Sequence, residues 1–502
     1  MVLKPKENLY KAHTTKRFQL FHHRYLITRP KKASKKTKCD FMIYKLYFIV
    51  LFIFAIGTLL TSLSLPIFKI VTRITESMCG VTSLTLFLSI THYSFHHKFF
   101  HSSYDHTLWL HKKAGKHTIK LININGLLHL LAILFSQLPI HGWWADAMPS
   151  KRTSLLAISA TVIIKILKKG IKVRKKNYEF FYYSHIITTF AYVPVFAFAH
   201  PIKPFLITAG LGFVLWLLDL VYRVVQYFFL NKGTIVKVVS QRDHLNAQSN
   251  YQPDSKILII EMDDFYYEPM QWVKLCIPSI SKYQMHALSI CSQPTFKEPE
   301  SGKTQIKILI KNFGDWSKTV LEKQDSFLLK KPVIIEGPYG SPSLSVLDYR
   351  YLVLIGGGSG VGPVLSLLLS LMELSKKQFG QQLVKLKFYW IAKEFQNLEL
   401  IQNELEQAIS SNKKYQIEVY VTRQNKLQLE KDYPIPNYTK FEKPNVSRLI
   451  TDASKEAKNN NLKKMAIFSC GPPRLVNEIK CVSFNLSNSN FYIDISQELY
   501  KF

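Results

Sequence analysis

Acidic residues and cysteines are scarce in this chain of 502 residues. It has 34 Asp and Glu against 66 Lys and Arg, which gives a net charge of +32. An excess of this size is typical of proteins that face nucleic acid or an anionic membrane surface. The 6 cysteines lie without the spacing of a metal site. They argue against a disulfide scaffold and indicate a reducing compartment for most of the chain.

Long uncharged apolar runs are present, and they argue against a soluble protein and against nucleic acid as its partner. About 20 apolar residues are enough for a helix to cross the hydrocarbon core of a membrane. The runs predict six spans, at Leu46–Phe68, Met78–Phe95, Leu121–Leu138, Leu155–Leu167, Phe180–His200 and Pro204–Phe229. The sequence therefore predicts an integral, multi-pass membrane protein.

The basic residues predict how these spans are oriented. Residues 1–45 form a basic tail with only two acidic residues, Glu7 and Asp40, and no part of it resembles a cleavable signal peptide. The loops after the second and fourth spans are also basic, whereas the odd loops are poorer in Lys and Arg. The positive-inside rule then places both termini in the cytosol. An additional role of the tail in binding RNA or anionic lipid stays open.

Four histidines lie in or next to the predicted spans, where such residues are costly and mark functional sites. His111 and His129 are 18 residues apart, so they share a face if their helix is continuous. His185 and His200 are 15 residues apart, about 60° in azimuth and roughly 22 Å along the axis. Two helices that each offer two imidazoles suit two stacked bis-histidine haems. Each histidine alone could equally be an interhelical hydrogen-bonding group.

The second half of the chain changes to short alternating strands. The segments Gly233–Ser240, Lys256–Glu261 and Gln305–Ile310 predict a small antiparallel barrel. The apolar strand Tyr351–Ile355 is followed by the glycine-rich run Gly356–Pro363 and the apolar helix Val364–Leu374, an order that suits a dinucleotide phosphate. Further strands at Leu386–Ile391, Gln416–Val421 and Lys464–Ser469 predict an α/β domain. Residues 424–463 are polar and predict a surface insertion or partly disordered loop.

These motifs together resemble those of the ferric reductase/NADPH oxidase superfamily of transmembrane flavocytochromes, over nearly everything from Leu46 to Phe502. The closest resemblance is to the fungal branch of ferric-reductase-like proteins and yeast NADPH oxidases. The matching segments are Leu110–Lys116, Gly126–His129, Arg174–His185, Glu268–Pro278, His286–Ile290, Asn312–Ser317, Glu336–Gly340 and Ser469–Pro473.

The resemblance implies a fold of three domains behind the basic tail. Residues 46–230 would form a six-helix transmembrane haem-binding bundle. Residues 231–345 would form a ferredoxin-reductase-like FAD β-barrel, and residues 346–502 an α/β NADPH-binding domain. FAD, NADPH and two b-type haems are the cofactors that it implies. Electrons would pass from cytosolic NADPH through FAD and the haems to an acceptor across the endoplasmic reticulum or plasma membrane, either dioxygen or a ferric or cupric chelate.

The resemblance also implies roles for individual residues. NADPH would be bound by Gly356, Gly357, Gly358, Gly360, Gly362 and Pro363, with Lys393 and Arg423 at its 2′-phosphate and Cys470 and Gly471 at its nicotinamide. FAD would be bound by His286, Ser289, Lys311 and Ser317, with Tyr500 or Phe502 near the flavin. Cys470 and Ser289 would be the catalytic pair. His111 and His185 would hold the cytosolic-side haem, and His129 and His200 the outer one. Without the resemblance, Lys393 and Arg423 could be ordinary strand-end charges.

The chain departs from the family pattern in two places. The third-helix histidines are 18 residues apart instead of about 14, so His111 could precede the regular helix, the helix could be distorted, or His117 could be the inner ligand. The flavin motif has Ala287 and Leu288 in place of Pro and an aromatic, and Met270 replaces a usual glycine. A non-catalytic scaffold with degenerate cofactor sites is therefore the alternative function. A transporter would leave the dinucleotide-binding pattern unexplained.

Overall fold

A computed structural model describes the chain at residues 38–64, 67–91, 104–135, 178–199, 203–229, 232–240, 254–294, 302–340, 344–375, 382–429 and 434–498, and at scattered positions between 158 and 173. Within these ranges residues 264, 283 and 345 are not described. The chain divides into two compact units, one of residues 40–224 and one that contains residues 225–502.

Long helices make up the described part of the first unit. They are α1 (Lys38–Leu60), α2 (Ile67–Leu88), α3 (Tyr104–Phe135), α4 (Tyr178–Ala199) and α5 (Lys203–Phe229). Within the described residues, one segment, Ile207–Val225 of α5, is long and apolar enough to cross a membrane, and Leu46–Leu60 of α1 is a shorter apolar helix. The six-helix haem bundle therefore stays a prediction, and most of its fourth span lies outside the described residues.

The helix boundaries differ from the predicted spans. The run predicted as one span from Leu46 to Phe68 is broken by a turn at residues 61–64, and α2 begins at Ile67 rather than at Met78. Proline cannot continue a helix without losing a hydrogen bond, and Pro66 stands at this break. Apolarity does not record such a break, because both sides of it are equally hydrophobic.

Helices α2 and α3 pack through a polar seam. Asn125 of α3 donates from Nδ2 to Oγ1 of Thr75 of α2 at 3.1 Å, and both side chains are buried. Thr75 in turn donates to the carbonyl of Thr72 within its own helix. Hydrogen bonds of this kind join helices where apolar packing alone gives no preference between partners.

The second unit begins with a closed antiparallel sheet. Its strands are β1 (Lys232–Ser240), β2 (Ser255–Met262), β3 (Trp272–Cys276), β4 (His286–Ser289), β5 (Thr304–Lys311) and β6 (Pro332–Tyr339), in the order β4-β3-β6-β1-β2-β5. An antiparallel bridge between Ile290 and Ile308 joins the two edges of this order. The sheet therefore closes into the predicted barrel, and α6 (Asp315–Glu322) and α7 (Asp325–Leu328) lie between β5 and β6.

A parallel sheet follows the barrel and forms the α/β domain. Its strands are β7 (Tyr351–Gly357), β8 (Lys385–Ala392), β9 (Tyr415–Val421), β10 (Thr439–Lys440), β11 (Lys464–Cys470) and β12 (Tyr492–Glu498). Its helices are α8 (Val361–Ser375), α9 (Gln396–Glu399), α10 (Gln402–Ser411), α11 (Lys426–Leu429), α12 (Val446–Asn459) and α13 (Pro473–Leu486). The order β10-β9-β8-β7-β11-β12 reverses direction between β7 and β11. Ligands of open α/β sheets bind at such a reversal, beyond the carboxyl ends of the strands.

The described part of the polar segment 424–463 belongs to this domain, which differs from the predicted insertion or disordered loop. Strand β10 extends the sheet beside β9. Helix α12 has one buried face, formed by Val446, Ile450, Ala453 and Ala457, which packs in the apolar core on one side of the sheet. Its other positions are polar, and they hide the 3.6-residue period of a packed helix.

The barrel and the α/β domain share one apolar core. Ile257, Ile259 and Met270 of the barrel pack in the same cluster as the buried face of α8. Polar contacts also cross this boundary, since Ser366 of α8 donates to the carbonyl of Ser292 at 2.6 Å. The two domains therefore hold their facing loops at fixed positions.

Candidate functional site

The glycine-rich loop between β7 and α8 lies at the reversal of the parallel sheet. A Cβ at Gly356 would lie 2.9 Å from the Cα of Val361, so any side chain there would push α8 away from β7. Gly358 has φ +58° in the left-handed region, which glycine adopts without cost. The loop is therefore built for a close approach of backbone to backbone.

The turn after β11 lies directly against this loop. A Cβ at Gly360 would overlap the carbonyl of Cys470, and a Cβ at Gly471 would lie 3.1 Å from the Cα of Gly357. Strands β7 and β11 pair in parallel with Gly356 opposite Cys470, which explains why the two turns meet. The sequence-predicted residues at positions 356–363 and 470–471 are thus brought together at one point.

The barrel contributes Ser289 to the same point. A Cβ at Gly362 would lie 2.8 Å from Sγ of Cys291 and 3.6 Å from Cβ of Ser289. Burial raises the pKa of the Cys291 thiol to about 12, so this thiol stays protonated at neutral pH. Cys291 is accordingly a packing residue, and Ser289 is the polar side chain that the barrel offers here.

Lys393 and Arg423 lie together at the carboxyl edge of the sheet. They follow the neighbouring strands β8 and β9, and the N–H of Arg423 donates to the carbonyl of Lys393 at 3.1 Å. Both residues are exposed. A pair of exposed cations at this edge can bind a phosphate group by charge-assisted hydrogen bonds.

Lys311 lies in a place that differs from the expectation for a ligand of the FAD phosphates. It lines a cavity together with Gly358 and Ser359 of the glycine-rich loop and with Lys393. Trp390, which the sequence reasoning missed, also lines this cavity and donates from Nε1 to the carbonyl of Gly358 at 3.0 Å. The structure groups Lys311 with the residues expected at the nicotinamide dinucleotide.

His286 lies on the barrel in a stacked pair. Its ring centroid is 4.1 Å from that of Trp316, with an interplanar angle of 19°. Burial lowers the pKa of the imidazole to about 4, so His286 is neutral at pH 7. Trp316 was not among the predicted site residues, although it lies inside the matched segment Asn312–Ser317.

Ser317 follows Trp316 and shapes the turn that begins α6. Its Oγ accepts hydrogen bonds from the N–H groups of Phe313 at 2.9 Å and Gly314 at 3.0 Å. The hydroxyl is thereby used within the turn, which fixes the backbone at the start of α6. This is a structural role, and it agrees with the interpretation of Ser317 as a turn residue.

Met270, where the family has glycine, keeps the conformation that a glycine would adopt. Its φ is +66°, which costs a side-chain-bearing residue about 1–2 kcal/mol. The side chain is fully buried in the core shared by the two domains. Apolar burial therefore offsets the backbone strain, and the departure from glycine leaves the turn intact.

Two of the four predicted metal-ligand histidines meet in the helical unit. The ring centroids of His111 on α3 and His185 on α4 are 6.3 Å apart. A metal atom between two imidazoles lies about 2 Å from each nitrogen and roughly 3 Å from each ring centre, so this spacing fits one metal atom held by both rings. The Nδ1 atom of His111 lies 3.1 Å from the carbonyl of Leu86, which fits the orienting hydrogen bond that metal-bound histidines make.

Helix α3 resolves the alternatives for its inner histidine. The helix runs without interruption from Tyr104, so His111 lies well within it rather than before it. His117 faces a different partner, because its Nδ1 lies 3.1 Å from the hydroxyl of Tyr47 on α1 and its ring stacks on that tyrosine. The side chain of His129 and the whole of His200, Tyr500 and Phe502 lie outside the described residues.

Comparisons with known proteins match both domains of the second unit. Residues 251–343 match the family model of an FAD-binding domain, and residues 349–483 match that of the ferric reductase NAD binding domain. Together the two matched segments follow the order of the barrel and the parallel sheet, and they agree with the flavin and dinucleotide cofactors expected from the sequence.

Relatives extend this similarity beyond the two domains. Ferric reduction oxidase 2 of Arabidopsis thaliana is 26% identical over 333 residues, which cover 64% of this chain and 42% of that protein. A superoxide-generating NADPH oxidase heavy chain of Dictyostelium discoideum is 25% identical, covering 51% of this chain and 41% of its own. A solved ferredoxin-NADP+ reductase from Plasmodium falciparum is 13% identical, with 53% and 95% covered and a TM-score of 0.36. The chain spans less than half the length of the first two relatives, and the fungal branch stays a prediction.

Proposed function

Because the chain carries an FAD-binding domain and a ferric reductase NAD-binding domain in series, we propose that it is a transmembrane oxidoreductase. It takes electrons from cytosolic NADPH and passes them through FAD and two b-type haems to an acceptor across the membrane. The observation that supports this most is the meeting of three segments at the sheet reversal: the loop of residues 356–363, the turn of residues 470–471 and Ser289.

NADPH lies along the carboxyl edge of the parallel sheet in this proposal. Gly356, Gly357, Gly358, Gly360, Gly362 and Pro363 shape the loop that receives it. Gly471 leaves room for the nicotinamide ring to approach the flavin, and Cys470 forms the wall beside it. Arg423 and Lys393 bind the 2′-phosphate, since both are exposed at the ends of adjacent strands.

FAD lies against the barrel, on the side of Ser289 and His286. Bound flavin supplies the conversion of a hydride into single electrons. The protein supplies position: Ser289 contacts the flavin from strand β4, and neutral His286 is held flat by Trp316 at 4.1 Å. Ser317 fixes the turn at the start of α6, whose N–H groups lie near the FAD phosphates.

The helical unit holds the haems. His111 and His185 bind the cytosolic-side haem, supported by their 6.3 Å ring separation and by the contact of His111 with the Leu86 carbonyl. His129 and His200 bind the outer haem. With six spans, both termini lie in the cytosol, and the membrane is that of the endoplasmic reticulum or the plasma membrane.

The acceptor is dioxygen or a ferric or cupric chelate, and both classes stand among the relatives by name. Membrane vesicles supplied with NADPH separate them. Formation of a ferrous chelate indicates a metalloreductase, and superoxide-dismutase-sensitive dye reduction indicates an oxidase. The absence of both activities, together with the absence of bound flavin and b-type haem, would favour the non-catalytic scaffold instead.

A further inference from the structure

Lys311 belongs to the barrel but faces the α/β domain. It stands at the end of β5 and lines a cavity whose other walls include Gly358, Ser359, Trp390 and Lys393. The glycine-rich loop thus meets one lysine from each domain at a single cavity. Such an arrangement draws in an anion, because two ammonium groups and a loop before a helix all offer N–H donors.

The position of Lys311 is held by the fold. Its side chain is 10% exposed, and its Nζ lies 3.0 Å from Oδ2 of Asp254. The backbone N–H of Asn312 also donates to the carbonyl of Asp254, which ties the end of β5 to the start of β2. An ammonium group has three donors, so the ion pair with Asp254 leaves capacity for a phosphate oxygen.

The resemblance to the family implied that Lys311 binds the FAD phosphates. The segment implied for those phosphates begins at Asn312 and ends at Ser317, and among the described residues no member of it lines the cavity that Lys311 lines. The cavity is instead bounded by the loop that would receive NADPH. Its contents should therefore be part of the nicotinamide dinucleotide.

We propose that Lys311 binds the pyrophosphate of the nicotinamide dinucleotide and that FAD binding does not depend on it, an inference that rests on the proposed function. The cavity includes the loop residues Gly358 and Ser359, next to the nicotinamide site at Cys470, and it ends at Lys393, beside Arg423. A dinucleotide that runs from Cys470 to Arg423 has its pyrophosphate between these points. Because NADPH and NADH share this group, Lys311 strengthens the binding of both equally.

The test uses the full-length protein with bound FAD and compares K311M, K311R and K303M. Lys303 stands just before the other end of β5 and is 45% exposed in a surface ion pair, so it serves as the matched control. We expect K311M to raise the KM for both NADPH and NADH in flavin reduction by about 10- to 100-fold, the effect of one lost charge-assisted bond. Flavin content should stay at the wild-type level, and K311R should recover most of the affinity. R423Q should raise the KM for NADPH alone.

The outcomes separate this inference from the proposed function. Loss of FAD from K311M with a normal KM would overturn the inference and return Lys311 to the flavin, and a rise confined to NADPH would overturn it by assigning Lys311 to the 2′-phosphate. Unchanged KM values and flavin content in a folded K311M would also overturn it. A wild-type protein that binds FAD but is reduced by neither dinucleotide would count against the proposed function itself.

Discussion

At the scale of single residues, the glycines of the loop differ in why they are glycine. Gly360 lies against the carbonyl of Cys470, so a side chain is excluded by lack of space. Gly358 has open space around its missing Cβ but a left-handed backbone, so a side chain is disfavoured by conformation. The string of glycines in the sequence predicts a loop that approaches a phosphate, but it does not separate these two causes.

Replacing Gly360 with alanine should cost more than replacing Gly358. In G360A the new methyl group must displace the backbone of Cys470, and overpacking of this kind costs about 1–3 kcal/mol. In G358A the left-handed conformation alone costs about 1–2 kcal/mol, with no displacement of β11. Thermal unfolding and the KM for NADPH measure both effects. A G360A variant with wild-type KM and stability would contradict the contact between the two turns.

His286 should make the protein sensitive to acid. The pKa of its imidazole is about 4 in the folded state and 6.5 when unperturbed, because burial disfavours the charged ring. Between these values only the unfolded chain binds the proton, so stability falls as pH is lowered from about 6.5 to about 4. We expect the thermal midpoint of the flavin-containing protein to fall over this window, and to fall less in H286Q. Equal falls in the two proteins would show that other groups cause the loss.

At the scale of secondary-structure elements, strands and the loop–helix unit of the α/β domain are predicted to within a few residues. The predicted strand 351–355 is observed as Tyr351–Gly357, and the predicted helix 364–374 as Val361–Ser375. Local apolar patterns determine these elements. Helix α12 is missed because most of its residues are polar, although Ile450 and its neighbours repeat with the period of a helix.

Ile450 gives a direct test of helix α12. Its side chain is fully buried in the core on one side of the sheet. We expect I450A to destabilise the α/β domain by about 2–5 kcal/mol, the usual cost of removing a buried isoleucine. D452A changes an exposed carboxylate two residues away and should shift stability by no more than about 0.5 kcal/mol. A neutral I450A in chemical denaturation would restore the interpretation of this segment as a surface insertion.

The membrane half shows which features a single sequence predicts poorly. Apolar composition indicates that spans exist, but the division between α1 and α2 depends on a local break that hydropathy averages away. The pairing of His111 with His185 was suggested by the resemblance, and its 6.3 Å separation depends on how α3 packs beside α4. The place of Lys311 depends likewise on packing between domains, which no local pattern contains.

At the scale of the whole molecule, the structure brings the proposed electron-transfer groups together within each unit. In the second unit the glycine-rich loop, the turn of residues 470–471 and Ser289 meet where the dinucleotide and flavin would exchange a hydride. In the first unit two histidines face each other across the width of one metal atom. The net charge of +32, which first indicates an anionic partner, agrees with a basic face toward a cytosolic leaflet.

Anaerobic addition of NADPH to the purified full-length protein, followed by absorbance, tests the central claim most directly. The account predicts bleaching of bound flavin and then the reduced bands of b-type haem. In H185A the haem bands should fall sharply while NADPH still bleaches the flavin. H117A should keep both signals, because His117 contacts Tyr47 instead. A wild-type protein with no haem bands, or with haem that NADPH cannot reduce, would contradict the account.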